Sequence, residues 1–234
     1  MLFGAPGVGK GTYGKLIQRE FGFPTFSMGD YFRKVINEDS SVDDPEHADF
    51  VTRLRETLRS GQFVVDAMAI EVIKNARETQ FADTDVVIFD GMPRTVPQAR
   101  LLAESGISVD LIFNFTNRMD ILLEKLMGRR VCPNCNRNYN VAHIDRDGYY
   151  MKALLPEKDP HICDDCPGVK LVVRDDDKEN IIMERMKIYE EKTEPILSFY
   201  KEKPETIVID FEAKRGVDDF PKMKQLLEDS LARL

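Results

Sequence analysis

The residues Gly4-Ala5-Pro6-Gly7-Val8-Gly9-Lys10-Gly11-Thr12 stand between a short apolar run, Met1-Leu2-Phe3, and a segment with helical spacing of Tyr13, Leu16 and Ile17. A strand, a glycine-rich loop and a helix start in this order let successive backbone N–H groups converge on an anion, helped by the helix dipole. A Cβ in such a loop would block both the tight turn and the approach of phosphate oxygens. Lys10 is spaced to carry a full positive charge to the outer phosphates of a nucleotide. The pattern Gly-x4-Gly-Lys is met at positions 4–10, but the hydroxyl residue expected next is Gly11, and the hydroxyl comes one place later at Thr12. Gly7, Val8, Gly9, Lys10, Gly11 and Thr12 are therefore the candidate donor-phosphate site.

Phosphoryl transfer asks a protein for alignment, exclusion of water and positive charge where the group passes. Arg33, Arg94, Arg129-Arg130, Arg174 and Arg185 are the candidates for that charge. Any one of them alone reads as a solvated surface side chain; the argument rests on the set. Asp90 ends the apolar run Val86-Val87-Ile88-Phe89, where an acid can orient Mg²⁺, or else cap a turn. None of the three histidines, His47, His143 and His161, is placed as an essential base.

The only four cysteines form two Cys-x2-Cys pairs, Cys132/Cys135 and Cys163/Cys166, with residues 136–162 between them. Four thiolates would complete a tetrahedral zinc shell with no open position, a structural site. Free thiols or a disulfide are the alternatives.

The elements that must position these groups follow from periodicity. Apolar strands are expected at 1–3, 24–27, 86–89, 111–115 and 207–210. Helices are expected after the loop, from Asp30, from Pro45, from Asp66, at Pro97 up to Gly106, over 119–126, over 178–200 with a break at Pro195, and at the C-terminus. Strands alternating with helices give a doubly wound α/β fold, a parallel sheet of about five strands whose ligands lie beyond the strand C-termini. Between about Gly128 and Arg174 the periodicity gives way to turn residues and cysteines, an inserted module. The 234 residues are 32% charged and 42% hydrophobic with a net charge of −8, which argues against nucleic acid or an anionic membrane as a general partner. No apolar run approaches the roughly 18 residues of a membrane span.

Five segments together resemble the adenylate kinases of the long-LID type. They are the loop 4–12, Ser27-Met28-Gly29-Asp30-Tyr31-Phe32-Arg33, Asp90-Gly91-Met92-Pro93-Arg94-Thr95 with Gln98, Gly128-Arg129-Arg130-Val131, and Arg174-Asp175-Asp176-Asp177 with Arg185. The resemblance runs in order over nearly the whole chain. It implies a P-loop core (1–29, 64–127 and 173–234), a helical monophosphate-binding domain (30–63) and a zinc-ribbon-like LID (128–172). It also implies reversible transfer of the γ-phosphoryl of MgATP to AMP, giving two ADP, in a monomer. In that scheme Arg129, Asn138 and Tyr139 meet ATP. Met28, Arg33, Gln62, Phe63, Val64, Gly91, Arg94, Gln98, Arg174 and Arg185 meet AMP or the transferring group.

Three residues depart from the family pattern. Met28 stands for a small hydroxyl residue near the acceptor base, Lys125 for an arginine that stacks on the donor base, and Met92 for a phenylalanine. Another acceptor (GMP, UMP or CMP), or a P-loop protein whose zinc ribbon is a binding module, are the competing readings. The cytoplasm is the expected compartment, or an organelle if an upstream targeting segment has been removed.

Overall fold

The computed structural model describes residues 1–32, 52, 56 and 66–234. The expected monophosphate-binding domain, the helix from Pro45, Arg33 and Gln62 to Val64 therefore lie almost wholly outside the described residues, although residues 28–32 are helical.

Strand β1 (Leu2–Gly4) leads through the glycine-rich loop into α1 (Lys10–Phe21), which stops where the Gly22 N–H returns to the Gln18 carbonyl at 2.9 Å. Next come β2 (Thr25–Ser27), α2 (Asp66–Gln80) and β3 (Ile88–Asp90). Helix α3 (Val96–Glu104) is capped by the Thr95 hydroxyl, which accepts the Gln98 N–H, and has Pro97 in its first turn. Strand β4 (Leu111–Thr116) and α4 (Met119–Gly128) complete this half.

The insert is built from two small antiparallel pairs, β5 (Arg129–Val131) with β6 (Asn138–Asn140) and β7 (Ile144–Arg146) with β8 (Tyr149–Met151). The second pair turns through Asp147-Gly148, both at positive φ (52° and 82°), the conformation a two-residue hairpin loop requires. The chain then forms α5 (Glu179–Ile188). A π-helical turn over Tyr189–Thr193 follows, with the Glu194 N–H reaching the Tyr189 carbonyl, and leads into α6 (Pro195–Lys201). The break expected at Pro195 is thus a change of helical pitch just before it. Strand β9 (Ile207–Glu212) and α7 (Phe220–Leu231) end the fold.

Five strands form one parallel sheet in the order β2-β3-β1-β4-β9, as the alternation of strands and helices predicts. Successive side chains leave a strand on opposite faces. Leu2, Ile88 and Phe113 accordingly join one core with Tyr13, Ile17, Phe115, Phe211 and Leu227, while their neighbours Phe3, Phe89 and Ile112 join another with Phe26, Met92, Ile196 and Tyr200. Both faces are covered, which explains the unbroken apolar runs. The expected strand at 86–89 is shifted to Ile88–Asp90, so the acid is its last residue rather than the first beyond it.

All five strands point their C-termini to one edge, and β1 meets neighbours on both sides there. Gly4 has φ +133°, and a Cβ on it would collide with the carbonyl oxygen of Phe115 and sit 3.2 Å from Val8 Cγ1. We expect Gly4→Ala to lose at least about 2 kcal/mol, roughly 4–8 °C in Tm, by thermal unfolding followed by circular dichroism. An unchanged Tm would show that β1 does not need this close approach.

Candidate active site

The strand C-termini open into a cavity of about 420 Å³ that holds the loop, Asp90, Arg94, Arg129, Arg174 and Arg185 together. At its floor the start of α1 is preceded by Gly9 at φ 107°, with no side chain capping the helix, so the first amides of α1 remain for an anion. The Lys10 ammonium donates to the carbonyls of Gly4 (2.7 Å) and Ala5 (3.0 Å), folding back over its own loop. Burial lowers its pKa to about 8, with Asp90 opposing that shift and Arg94, Arg185 and Arg129 adding to it. A phosphate beside it would favour the charged form again. Asp90 faces the same loop, its Oδ2 3.5 Å from where a Cβ on Gly11 would be. A bulkier residue at 11 would push into this carboxylate, which accounts locally for the displaced hydroxyl.

Three arginines are arranged by two neighbouring acids. Asp177, whose side chain is wholly buried, receives a two-point ion pair from Arg129 and a contact at 3.2 Å from Arg185. Asp176 takes a two-point pair from Arg174, and Arg185 reaches its carboxylate at 3.2 Å and its carbonyl at 2.8 Å. Burial opposes ionisation of Asp176, but Arg174 and Arg185 outweigh it and hold the carboxyl well below the usual range. Burial lowers Arg185 to about 10, Asp176 countering and Arg129 and Arg174 reinforcing the shift, so it stays charged at neutral pH.

Arg94 is fixed from its backbone outwards. Its N–H donates to Gln98 Oε1 (2.7 Å), its carbonyl accepts the Thr193 hydroxyl (2.9 Å), and its Nε donates to the Gly91 carbonyl (2.8 Å). A Cβ at Gly91 would lie 3.1 Å from Arg94 Nη2, so glycine there leaves the guanidinium its place.

Not every expected contact is brought to the cavity. Met28 packs in the hydrophobic core beside Phe26 and Phe32, and its neighbours Ser27, Gly29 and Asp30 line the cavity instead. The strand-to-helix corner turns position 28 inward. Tyr139 lines the cavity, but its ring is buried and its hydroxyl accepts the Asp164 N–H (3.0 Å) and reaches Cys163 Sγ (3.6 Å). Asn138 lines the cavity beside it, and Gln98 is buried against Arg94. Lys125 also lines the cavity, its ammonium 3.5 Å from the Val8 carbonyl and its pKa lowered to about 8 by burial.

The four cysteine sulfurs lie within 4.8 Å of one another, Cys135 and Cys163 at 3.6 Å. A Zn–S bond of about 2.3 Å places tetrahedral sulfurs roughly 3.8 Å apart, so the cluster fits zinc. Each pair is a tight turn: the Asn136 N–H returns to the Cys132 carbonyl, and the Val169 N–H to that of Cys166. Cys132, Cys163 and Tyr139 form the small core of this module.

Asp176 and Asp177 as holders of the arginines, Thr193 behind Arg94, and the rim residues Lys152, Arg215 and Asp218 carry no signal of their own in periodicity. The run of three aspartates after Arg174 is the one hint. Removing a partner from a buried ion pair costs about 3–5 kcal/mol. We expect Asp177→Ala to fall in that range in urea unfolding, and its loss to exceed that of Asp175→Ala; equal effects would remove the pairing role.

The adenylate kinase family model matches residues 2–205. A GTP:AMP phosphotransferase of Plasmodium falciparum (isolate 3D7) is 33% identical over 232 residues, 97% of this chain and 94% of that protein. An adenylate kinase of Hydrogenobaculum sp. (strain Y04AAS1) is 34% identical over 231 residues, 97% and 99% of the two chains. An adenylate kinase of Thermotoga neapolitana is 34% identical over 209 residues, 87% and 85%. With a phosphate loop, a strand-end acid and four basic residues in one cavity, and with relatives that align over its length, the chain belongs to the adenylate kinase family, the nucleoside monophosphate kinases.

Proposed function

We propose that this chain transfers the γ-phosphoryl group of MgATP to AMP, reversibly, giving two ADP. The observation that carries the reading is the placement of Lys10 with the α1 amides and of Arg94, Arg129, Arg174 and Arg185 around one cavity. Two phosphate chains meeting end to end need that much positive charge, and one nucleotide does not.

Gly7 to Thr12 hold the donor phosphates, with Lys10 at the β and γ positions and Arg129 and Asn138 on the donor side. Arg94, Arg174 and Arg185, with Arg33, clamp the acceptor phosphate and the group in transit. Gly91, Gln98 and the segment Gln62, Phe63 and Val64 face the acceptor nucleoside. Asp90 at the end of β3 would hold Mg²⁺, directly or through water, and the ion would neutralise charge on the β- and γ-phosphates. The protein's own part is to align the acceptor oxygen with the γ-phosphorus, and no side-chain nucleophile is needed. Residues 30–63 and 128–172 would act as covers over the core, excluding water that would otherwise take the phosphoryl group. A monomer in the cytoplasm completes the reading.

Purified protein should turn over MgATP with AMP in a coupled assay, faster than with GMP, UMP or CMP. Arg94→Ala should lower kcat/KM by at least about a hundredfold. A better acceptor than AMP would change the substrate and keep the mechanism; full activity in the variant would remove it.

Zinc in the four-cysteine cluster stabilises a segment with few large apolar residues. We expect about one zinc per chain by elemental analysis. A strong chelator should lower Tm and melt the 128–172 module first, seen as faster proteolysis there. Unchanged Tm with zinc removed would reassign the cysteines to free thiols.

A further inference from the structure

The β7–β8 hairpin lies against the core rather than standing free. The Tyr149 hydroxyl meets Glu212, the Tyr150 N–H donates to the Lys214 carbonyl (2.9 Å), and Arg118 reaches Asp147 at 2.9 Å. Ile144, Tyr149 and Met151 bury Ile121 of α4. The chain beyond β8 is thereby brought to the turn that follows β9, where the hairpin forms one wall of the cavity and the turn Gly216–Asp219 the other.

This end of the cavity belongs to the donor side. The Tyr13 hydroxyl, one helical turn along α1 from Lys10, donates to the Gly216 carbonyl at 2.5 Å, and a Cβ on Gly216 would stand 3.7 Å from Met151. A nucleotide with its phosphates on the α1 amides has its base directed here, away from Arg94. The turn is held in shape by the Arg215 N–H, which donates to Asp219 Oδ2 at 2.7 Å. Two charged groups line this end from opposite walls, Lys152 and Asp218, with Nζ 3.2 Å from Oδ2.

We propose that Lys152 and Asp218 read the base of the donor nucleotide and favour guanine over adenine. The inference rests on the phosphotransferase reading above and adds the donor's identity to it. A carboxylate beside an ammonium presents two acceptor oxygens next to a donor. Guanine's edge offers N1–H and N2–H to the carboxylate and O6 to the ammonium, three charge-assisted hydrogen bonds. Adenine's edge offers an N6 hydrogen to the carboxylate and N1 to the ammonium, two. Lys125, a compact ammonium on the path from the loop to this end, supplies charge without the planar face that would favour stacking of either purine.

The test is kcat/KM for MgGTP, MgITP and MgATP with AMP as acceptor, beside equilibrium binding of GTP and ATP, for the wild-type chain, Asp218→Asn and Lys152→Ala. Wild type should prefer GTP to ATP by about tenfold or more, with ITP, which lacks the 2-amino group, between them. Asp218→Asn should lower the GTP-to-ATP ratio by at least about tenfold, and Lys152→Ala should lower it less. Asp218 is partly exposed and the change to Asn is nearly isosteric, so unaltered circular dichroism should accompany the shift. Turnover with a ratio that neither variant moves overturns the base-reading role and leaves phosphoryl transfer standing. A binding ratio that follows Asp218 without turnover to any acceptor supports the base-reading role and removes the kinase reading.

Discussion

Crowding of positive charge at one sheet edge is the constraint around which this molecule is arranged. Lys10, Arg94, Arg129, Arg174 and Arg185 share a single cavity, partly withdrawn from water, where their mutual repulsion is poorly screened. The fold holds them there with fixed acids. Asp177 is buried between Arg129 and Arg185, and Asp176 between Arg174 and Arg185. The guanidinium groups are thereby oriented in advance, so little reorganisation remains when phosphates bind. A parallel sheet suits the task because its strand ends, helix starts and connecting loops gather on the same edge.

The insert solves a different problem. A module of short strands cannot bury enough apolar surface to hold its own shape, and the four cysteines give it a centre. Tyr139 joins that centre to the cavity wall by placing its hydroxyl among Cys163 and Asp164. The β7–β8 hairpin then attaches the module to β9 and α4 through Tyr149, Arg118 and Tyr150. A metal-centred element and the sheet core thus share a boundary, and the donor end of the cavity lies on it.

Much of this was legible in the sequence because it rests on local rules. The glycine loop, the apolar strands, the capped helix at Thr95 and the two Cys-x2-Cys turns each follow from a few adjacent residues. The end of β3 came within one residue, and the break at Pro195 proved to be a π-helical turn. What local rules could not reveal depends on pairing across distance. Asp177 looks like any acid in an acidic run until Arg129, far away in the chain, meets it. Met28 sits in a segment that resembles a ligand-binding one, but the corner after β2 turns it into the core. The Asp147-Gly148 turn is a sequence signal for a hairpin, yet the core residues it would dock on cannot be read from it. Arg33 and Gln62 to Val64 lie outside the described residues, so their roles rest on resemblance alone.

The central claim is that two nucleotides are held together and the phosphoryl group passes directly between them, with charge and alignment in place of a protein nucleophile. The measurement that meets it most directly is the stereochemical course with a donor made chiral by oxygen isotopes at the γ-phosphorus. A single in-line displacement on the best monophosphate acceptor predicts inversion of configuration at that phosphorus. Retention would mean two displacements through a phosphorylated side chain, and would contradict the account.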